Sequence, residues 1–234
     1  MRTTQKIIIA LWWTALGCLP AQAGDVQGLI TDASGKPVAN AVIALYGRDA
    51  AASVSVTATA TATVTAPATA AMDQRDRQFA PHVLVVQRGT DVRFPNSDDI
   101  RHQVYSFSPA KTFSLPLYHG VPANPLRFDQ AGEVVLGCNI HDRMLGYIYV
   151  VETPWFGKSD AAGALNIGNV PAGSYRARLW YPGLAQTAVP IEKTVQVTAT
   201  GSVSVSFDNA VAESLPEPQP TTTRSWGERR ERSR

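Results

Sequence analysis

The chain has 234 residues, with 21 Lys and Arg, 19 Asp and Glu and a formal net charge of +2. The basic excess comes from Arg2 and Lys6; past residue 23 the charges balance at 19 against 19, so no global field points to a nucleic-acid partner. Of the 2 cysteines, Cys18 lies in that same leading stretch, and Cys138 is left alone with no intramolecular disulfide open to it.

Residues 1–23 read as a secretory signal. Arg2 and Lys6 precede an apolar run from Ile7 to Leu19, and Ala21-Gln22-Ala23 is a small-residue cleavage site. The run is too short for a membrane span. Gly24 is then the expected mature start, in the periplasm. Acylation of Cys18 is the alternative, but Leu16 sits one place off the usual position for it.

Residues 24–48 are expected to form a β-hairpin. Val26 to Thr31 and Val38 to Leu45 are strand-formers, and Asp32 to Pro37 is a Gly/Pro turn between them. Residues 49–71 are almost all Ala, Thr, Val and Ser. They read as a low-complexity linker with at most a poorly specified strand.

Residues 72–152 alternate short strands with turns. Phe79 to Val86 and Asp91 to Phe94 are strands, with a turn over Arg88-Gly89-Thr90. Pro95 to Arg101 is a loop leading to an extended His102–Phe107. Glu133 to Gly137 leads into Cys138, and Leu145 to Val151 is a further strand. Residues 153–209 continue in the same manner, with turns at Ser159–Gly163 and Val170–Gly173 and strands at 164–167, 174–181 and 194–207. The tail, 210–234, lacks apolar material to bury and is expected to be disordered. Frequent short strands with turn signals predict an all-β protein built of sandwiches.

The chemistry concentrates in Cys138-Asn-Ile-His141-Asp-Arg-Met144, with His102 upstream. A free thiol in an oxidising compartment invites oxidation, unless it binds a metal or is buried as a small hydrophobe. Beside His141 and Met144, metal ligation is the stronger reading. Two imidazoles, a thiolate and a thioether are the set a blue-copper electron-transfer site needs, with a trigonal Cys-His-His plane and a weak axial Met. Zinc accepts Cys and His equally well; Met144 argues for copper.

Residues 79–151 resemble a cupredoxin of the plastocyanin and amicyanin group. The matching stretches are Gly89 to Phe94, Asn96 leading to His102, Phe128 to Gly132, and Cys138 to Val151. The resemblance implies one copper per chain, with His102, Cys138 and His141 equatorial and Met144 axial. It also implies a Greek-key β-barrel and electron exit through the exposed edge of His141. Redox partners such as a cytochrome c or a dehydrogenase would follow. One departure is Arg101-His102-Gln103, where family members often have Pro-His-Asn; the Asn ties the two ligand loops together, and Asn96 is the available substitute.

Through Gly28 to Val42, Asp160-x-x-Gly163 and Val170-Pro-Ala-Gly-x-Tyr175, residues 26–45 and 154–182 resemble the two halves of a carboxypeptidase-regulatory-like, transthyretin-like sandwich. Residues 24–48 and 153–209 are therefore expected to be its two parts, with the cupredoxin region inserted in it or interleaved with it. The whole arrangement is similar to secreted plastocyanin-like proteins carrying a methylamine-utilisation label. Other readings are a copper delivery or storage module that does not cycle redox, and a structural β-sandwich with a vestigial or zinc-filled site. An enzyme is not expected, since oxidases of this kind need further copper centres and the chain has 4 His. His82 is expected to be packed or at the surface, His119 in a loop, Asp98 and Asp99 in a solvated turn, and Trp155, Trp180 and Tyr181 in core packing. Asp142 and Arg143 are expected to tune loop charge and partner docking.

Overall fold

The computed structural model describes residues 23–47, 68–122, 124–141, 143–184 and 189–210. Every regular element among them is a strand. In chain order these are β1 (Ala23–Asp32), β2 (Val42–Gly47), β3 (Thr69–Ala71), β4 (Asp73–Arg75), β5 (Gln78–Ala80) and β6 (Val83–Gln87). Next come β7 (Thr90–Arg93), β8 (His102–Ser108), β9 (Lys111–Tyr118), β10 (Leu126–Phe128), β11 (Gly132–Gly137) and β12 (Leu145–Val151). The last are β13 (Phe156–Lys158), β14 (Ala164–Pro171), β15 (Gly173–Trp180), β16 (Ile191–Val197) and β17 (Ser202–Ala210).

Two sandwiches result. In one, the sheet β14-β1-β17 faces the sheet β13-β2-β15-β16. Val26, Ile30, Ile43, Leu45, Ile167, Leu179 and Phe207 fill the space between them. Its strands come from both ends of the described chain, and β1 pairs in parallel with β17 from Asp25–Ser202 onward. The other sandwich is built from residues 69–151, with sheets β6-β12-β11-β8-β9 and β10-β7-β3. Phe94, Val104, Phe128, Leu136 and Ile148 form its core. Burying a side chain of this size is worth roughly 1.5–3 kcal/mol, so these residues anchor the sheets on which the site is mounted.

Residues 24–48 do not form the expected hairpin. The two strands lie in opposite sheets, β1 against β14 and β17, and β2 against β13 and β15. The reason lies in burial. β1 alternates buried and open positions, whereas Val42, Ile43, Ala44 and Leu45 are all buried. A strand covered on both faces belongs in the middle of a layered structure, not at the edge of a two-stranded ribbon. Ile43 and Leu45 face the first core, while Val42 joins Val83, Tyr147 and Trp180 in a cluster between the two sandwiches.

Two further differences concern local structure. Residues 48–67 lie outside the described residues, as do 1–22 and the tail from 211, so the signal, most of the linker and the tail are not described. The end of the expected linker, Thr69–Ala71, is a strand that pairs in parallel with β7. The single strand expected over Phe79–Val86 is divided at Pro81 into β5 and β6, because proline has no N–H for the ladder. The turn at Ser159–Gly163 forms as expected: Gly163 N–H donates to Asp160 O (3.0 Å), and Gly163 has φ +73. A Cβ there would meet the Ile30 carbonyl oxygen at 2.3 Å, so only glycine fits.

The two sandwiches are clamped by Trp180. Its ring stacks on Tyr149 (centroids 4.4 Å apart, planes 6° apart), and its Nε1–H donates to Glu133 Oε2 (3.0 Å). Lys158 Nζ adds a hydrogen bond to Val83 O (2.7 Å). Trp155 and Tyr181 pack with the first core, so the three rings do serve packing.

Candidate metal centre

His102 is the first residue of β8, and Cys138 follows directly on the last residue of β11. From Cys138 the chain makes two successive tight turns before β12. His141 N–H donates to Cys138 O (3.3 Å), and Met144 N–H donates to His141 O (2.9 Å). This three-residue repeat folds a seven-residue segment back on itself, so His141 returns to the mouth of the sheet beside Cys138 and His102.

Three ligand atoms converge. His102 Nδ1 lies 3.2 Å from His141 Nδ1, and Cys138 Sγ lies 3.9 Å from His102 Nδ1 and 3.7 Å from His141 Nδ1. The circle through these atoms has a radius of about 2.1 Å, inside the ~2.0–2.3 Å that imidazole nitrogen and thiolate sulfur keep from a bound first-row cation. One point in the plane of the triangle is therefore within bonding reach of all three. Met144 is buried in the same apolar cluster as Cys138, with Phe94, Leu136 and Ile148.

The electrostatics suit a neutral imidazole at His141. Burial, then the charge of His102 and of Arg77, depress the pKa of His141 against the opposing pull of Asp98. His102 is fully buried, and its Nε2 lies 2.6 Å from Asp98 Oδ2. With Nε2–H donated to that carboxylate, the Nδ1 lone pair faces Cys138 and His141. His141, by contrast, is only partly buried.

Asp98 overturns an expectation. It is not a solvated turn residue: its side chain is only 10% exposed, and it is the partner of His102. Burial pushes its carboxyl up, but hydrogen bonds from Arg77 N–H, His102 and Asp76 N–H outweigh that and hold it below the ordinary carboxylate range. Its neighbour Asp99 is exposed, as expected. No local pattern distinguishes the two; only the approach of the β4–β5 turn selects Asp98.

The tie between ligand loops is also differently made. Gln103 Nε2 donates to Ser114 Oγ (3.1 Å) at the surface. Asn96 is buried and donates from Nδ2 to Ile100 O and Tyr118 O (both 2.9 Å), while its Oδ1 accepts from Asp98 N–H (3.0 Å). These bonds stiffen the loop before His102 and do not reach the Cys138 loop. The remaining histidines lie apart from the triangle: His82 packs edge-on against Tyr147 and His119 is exposed after β9. Arg143 is exposed, and Asp142 lies outside the described residues.

No known family model matches the sequence, and no curated protein matches it. Partial likenesses to solved structures exist. One is to a copper-containing nitrite reductase from Thermus scotoductus SA-01 at 28% identity (TM-score 0.34), covering 38% of this chain and 23% of that one. Another is to an oxidised amicyanin variant at 24% identity (TM-score 0.33), covering 38% and 88%. A third is to a purple cupredoxin from Nitrosopumilus maritimus at 20% identity (TM-score 0.31), covering 36% and 99%. The chain thus spans under a quarter of the nitrite reductase but most of the two small proteins. Among the described residues, no helix is long and apolar enough to cross a membrane.

Proposed function

We propose that this chain is a type 1 copper protein that carries single electrons between redox partners in the periplasm, with one copper per chain, and that it is not itself an enzyme. One observation carries the reading: the two imidazole nitrogens and the thiol sulfur surround a point about 2.1 Å from each, a metal–ligand distance. His102, Cys138 and His141 would hold the metal, and Met144, one hydrogen-bonded turn beyond His141, supplies the thioether that favours copper over zinc. Copper bound there supplies a one-electron couple.

The protein's part is to hold its ligands still and keep water out. His102 and Cys138 project from sheet ends into the apolar cluster, so neither has room to rearrange when the charge of the centre changes. His141 is the ligand nearest solvent. Next to it in sequence Ile140 is 51% exposed, which provides an apolar rim for a partner such as a cytochrome c or a dehydrogenase. The signal-like residues 1–23 support export. His82 and His119 stand away from the triangle, which supports a single centre and a carrier role.

The test is the absorption and electron-spin spectrum of the copper-loaded chain. The oxidised protein is expected to show an intense visible thiolate-to-copper band and one reversible one-electron wave, and Cys138→Ser to abolish the band. A copper-loaded protein without colour sinks the proposal. Colour without a reversible wave indicates storage or delivery instead.

A further inference from the structure

We infer that Asp98 is a positioning residue of this centre. Its carboxylate fixes His102 with Nδ1 unprotonated toward Cys138 and His141, and its negative charge favours oxidised over reduced copper. The second half rests on the electron-carrier reading; the first half stands on the chain alone.

The carboxylate is held from three sides. Asp76 N–H donates to Oδ1 (2.6 Å), Arg77 N–H donates to Oδ2 (3.0 Å), and His102 Nε2 lies 2.6 Å from Oδ2. Asp76 and Arg77 form the turn between β4 and β5, and both are left-handed, at φ 54 and φ 58. That conformation is unfavourable for a non-glycine residue. Here it aims two successive N–H groups at one carboxylate, the concave donor arrangement that binds anions. Asp98 is fixed at its backbone as well, through its N–H to Asn96 Oδ1. It therefore receives three donors and has little freedom to turn away.

A carboxylate satisfies this set and an amide does not. Three donors need acceptors on both oxygens, and asparagine offers one oxygen and one NH2. In Asp98→Asn, an NH2 must face either a turn N–H or the His102 ring N–H. The charge matters because the pair is removed from water, with the His102 side chain 0% and Asp98 10% exposed. Going from Cu(I) to Cu(II) adds one positive charge and involves no proton, so a fixed anion behind a ligand stabilises the oxidised form more than the reduced form.

The experiment uses the full chain. First, ring-nitrogen NMR of the metal-free protein reads the tautomer. His102 is expected to show one tautomer, with a downfield Nε2 proton protected from solvent exchange. In Asp98→Asn that proton is expected to exchange at least tenfold faster and the Nδ1–H tautomer to appear. Second, voltammetry of the copper-loaded proteins reads the Cu(II)/Cu(I) affinity ratio. It is expected to fall at least tenfold in Asp98→Asn, a rise in potential of about 59 mV. The control is Arg77→Gly, which keeps the donor N–H and suits φ 58; it leaves the His102 proton in place. A folded Asp98→Asn protein with an unchanged tautomer and an unchanged ratio overturns the inference. If that variant does not fold, the parent decides: an Nδ1–H tautomer, or no protected Nε2 proton on His102, overturns it. A colourless copper-loaded parent removes the carrier reading, and the NMR result still settles the positioning role.

Discussion

Gly146 is the position where a single methyl group tests how tightly the site is framed. It lies two residues after Met144, at the start of β12, and pairs with Leu136 of β11. A Cβ built there meets Phe79 Cβ at 2.6 Å and Phe79 Cγ and Cδ2 at 2.9 Å. Carbon atoms settle at roughly 3.5–4.0 Å, so β5 or β12 has to retreat by about 1 Å. Phe79 cannot swing aside, because its nearest atom is its own Cβ and the side chain is buried in the core. Overpacking of this kind costs about 1–3 kcal/mol, and for a protein of this size each kcal/mol lowers Tm by roughly 2–4 °C. Gly146→Ala is therefore expected to melt roughly 2–12 °C lower. Because Gly137 pairs with Leu145 in the same ladder, the displacement also reaches the edge that carries Cys138, and the visible band of the copper-loaded protein should move. Thermal melts followed by circular dichroism, with and without copper, provide the assay. Gly47→Ala is the control, since no atom lies within 4 Å of a Cβ there and its melt should match the parent. A Gly146→Ala protein with the parent's Tm and spectrum would refute the reasoning.

Two other outcomes are expected. Trp180→Ala removes the stack on Tyr149 and the hydrogen bond to Glu133, and should cost about 3–5 kcal/mol in chemical denaturation. Trp180→Phe keeps the stack and should cost less; equal costs would show that the ring contributes nothing at this contact. His82 supplies a pH dependence. Burial lowers its pKa, although a hydrogen bond with the Leu145 backbone opposes this, and its Nε2 has no partner among the described residues. A histidine harder to protonate when folded leaves the unfolded chain binding more protons below its ordinary pKa of about 6.5. Stability is thus highest above that pH and declines as pH falls through it toward the lower folded value. His82→Gln should flatten the decline between pH 7 and 5 in the copper-loaded protein; a slope identical to the parent's would exclude His82 as its source.

Three of the four residues singled out by chemistry, His102, Cys138 and His141, bring their ligand atoms together, and they could be picked out in the chain because ligand softness is a property of residue type. The turns after Cys138 are local hydrogen bonds of three-residue span, so the spacing of Cys138, His141 and Met144 already contained their arrangement. The all-β class was readable for a similar reason, since alternation and turn residues act over a few positions. Asp98 was not, because its role depends on Asp76 and Arg77, over twenty residues earlier, turning their N–H groups toward it. Strand β9 was not among the expected strands, although Phe113, Leu115 and Leu117 alternate with Thr112, Ser114 and Pro116; it completes the sheet beside His102 through the pairing of His102 with Tyr118.

Residue types and short-range spacing alone determined which atoms are able to bind a metal and that strands would carry them. Only the tertiary structure decided that β1 and β2 part into opposite sheets, and that one of two adjacent aspartates becomes buried against a histidine. The physical reason is range. Ligand chemistry and turn formation act within a few bonds or residues, while burial and charge pairing depend on whatever distant segment arrives to exclude the water.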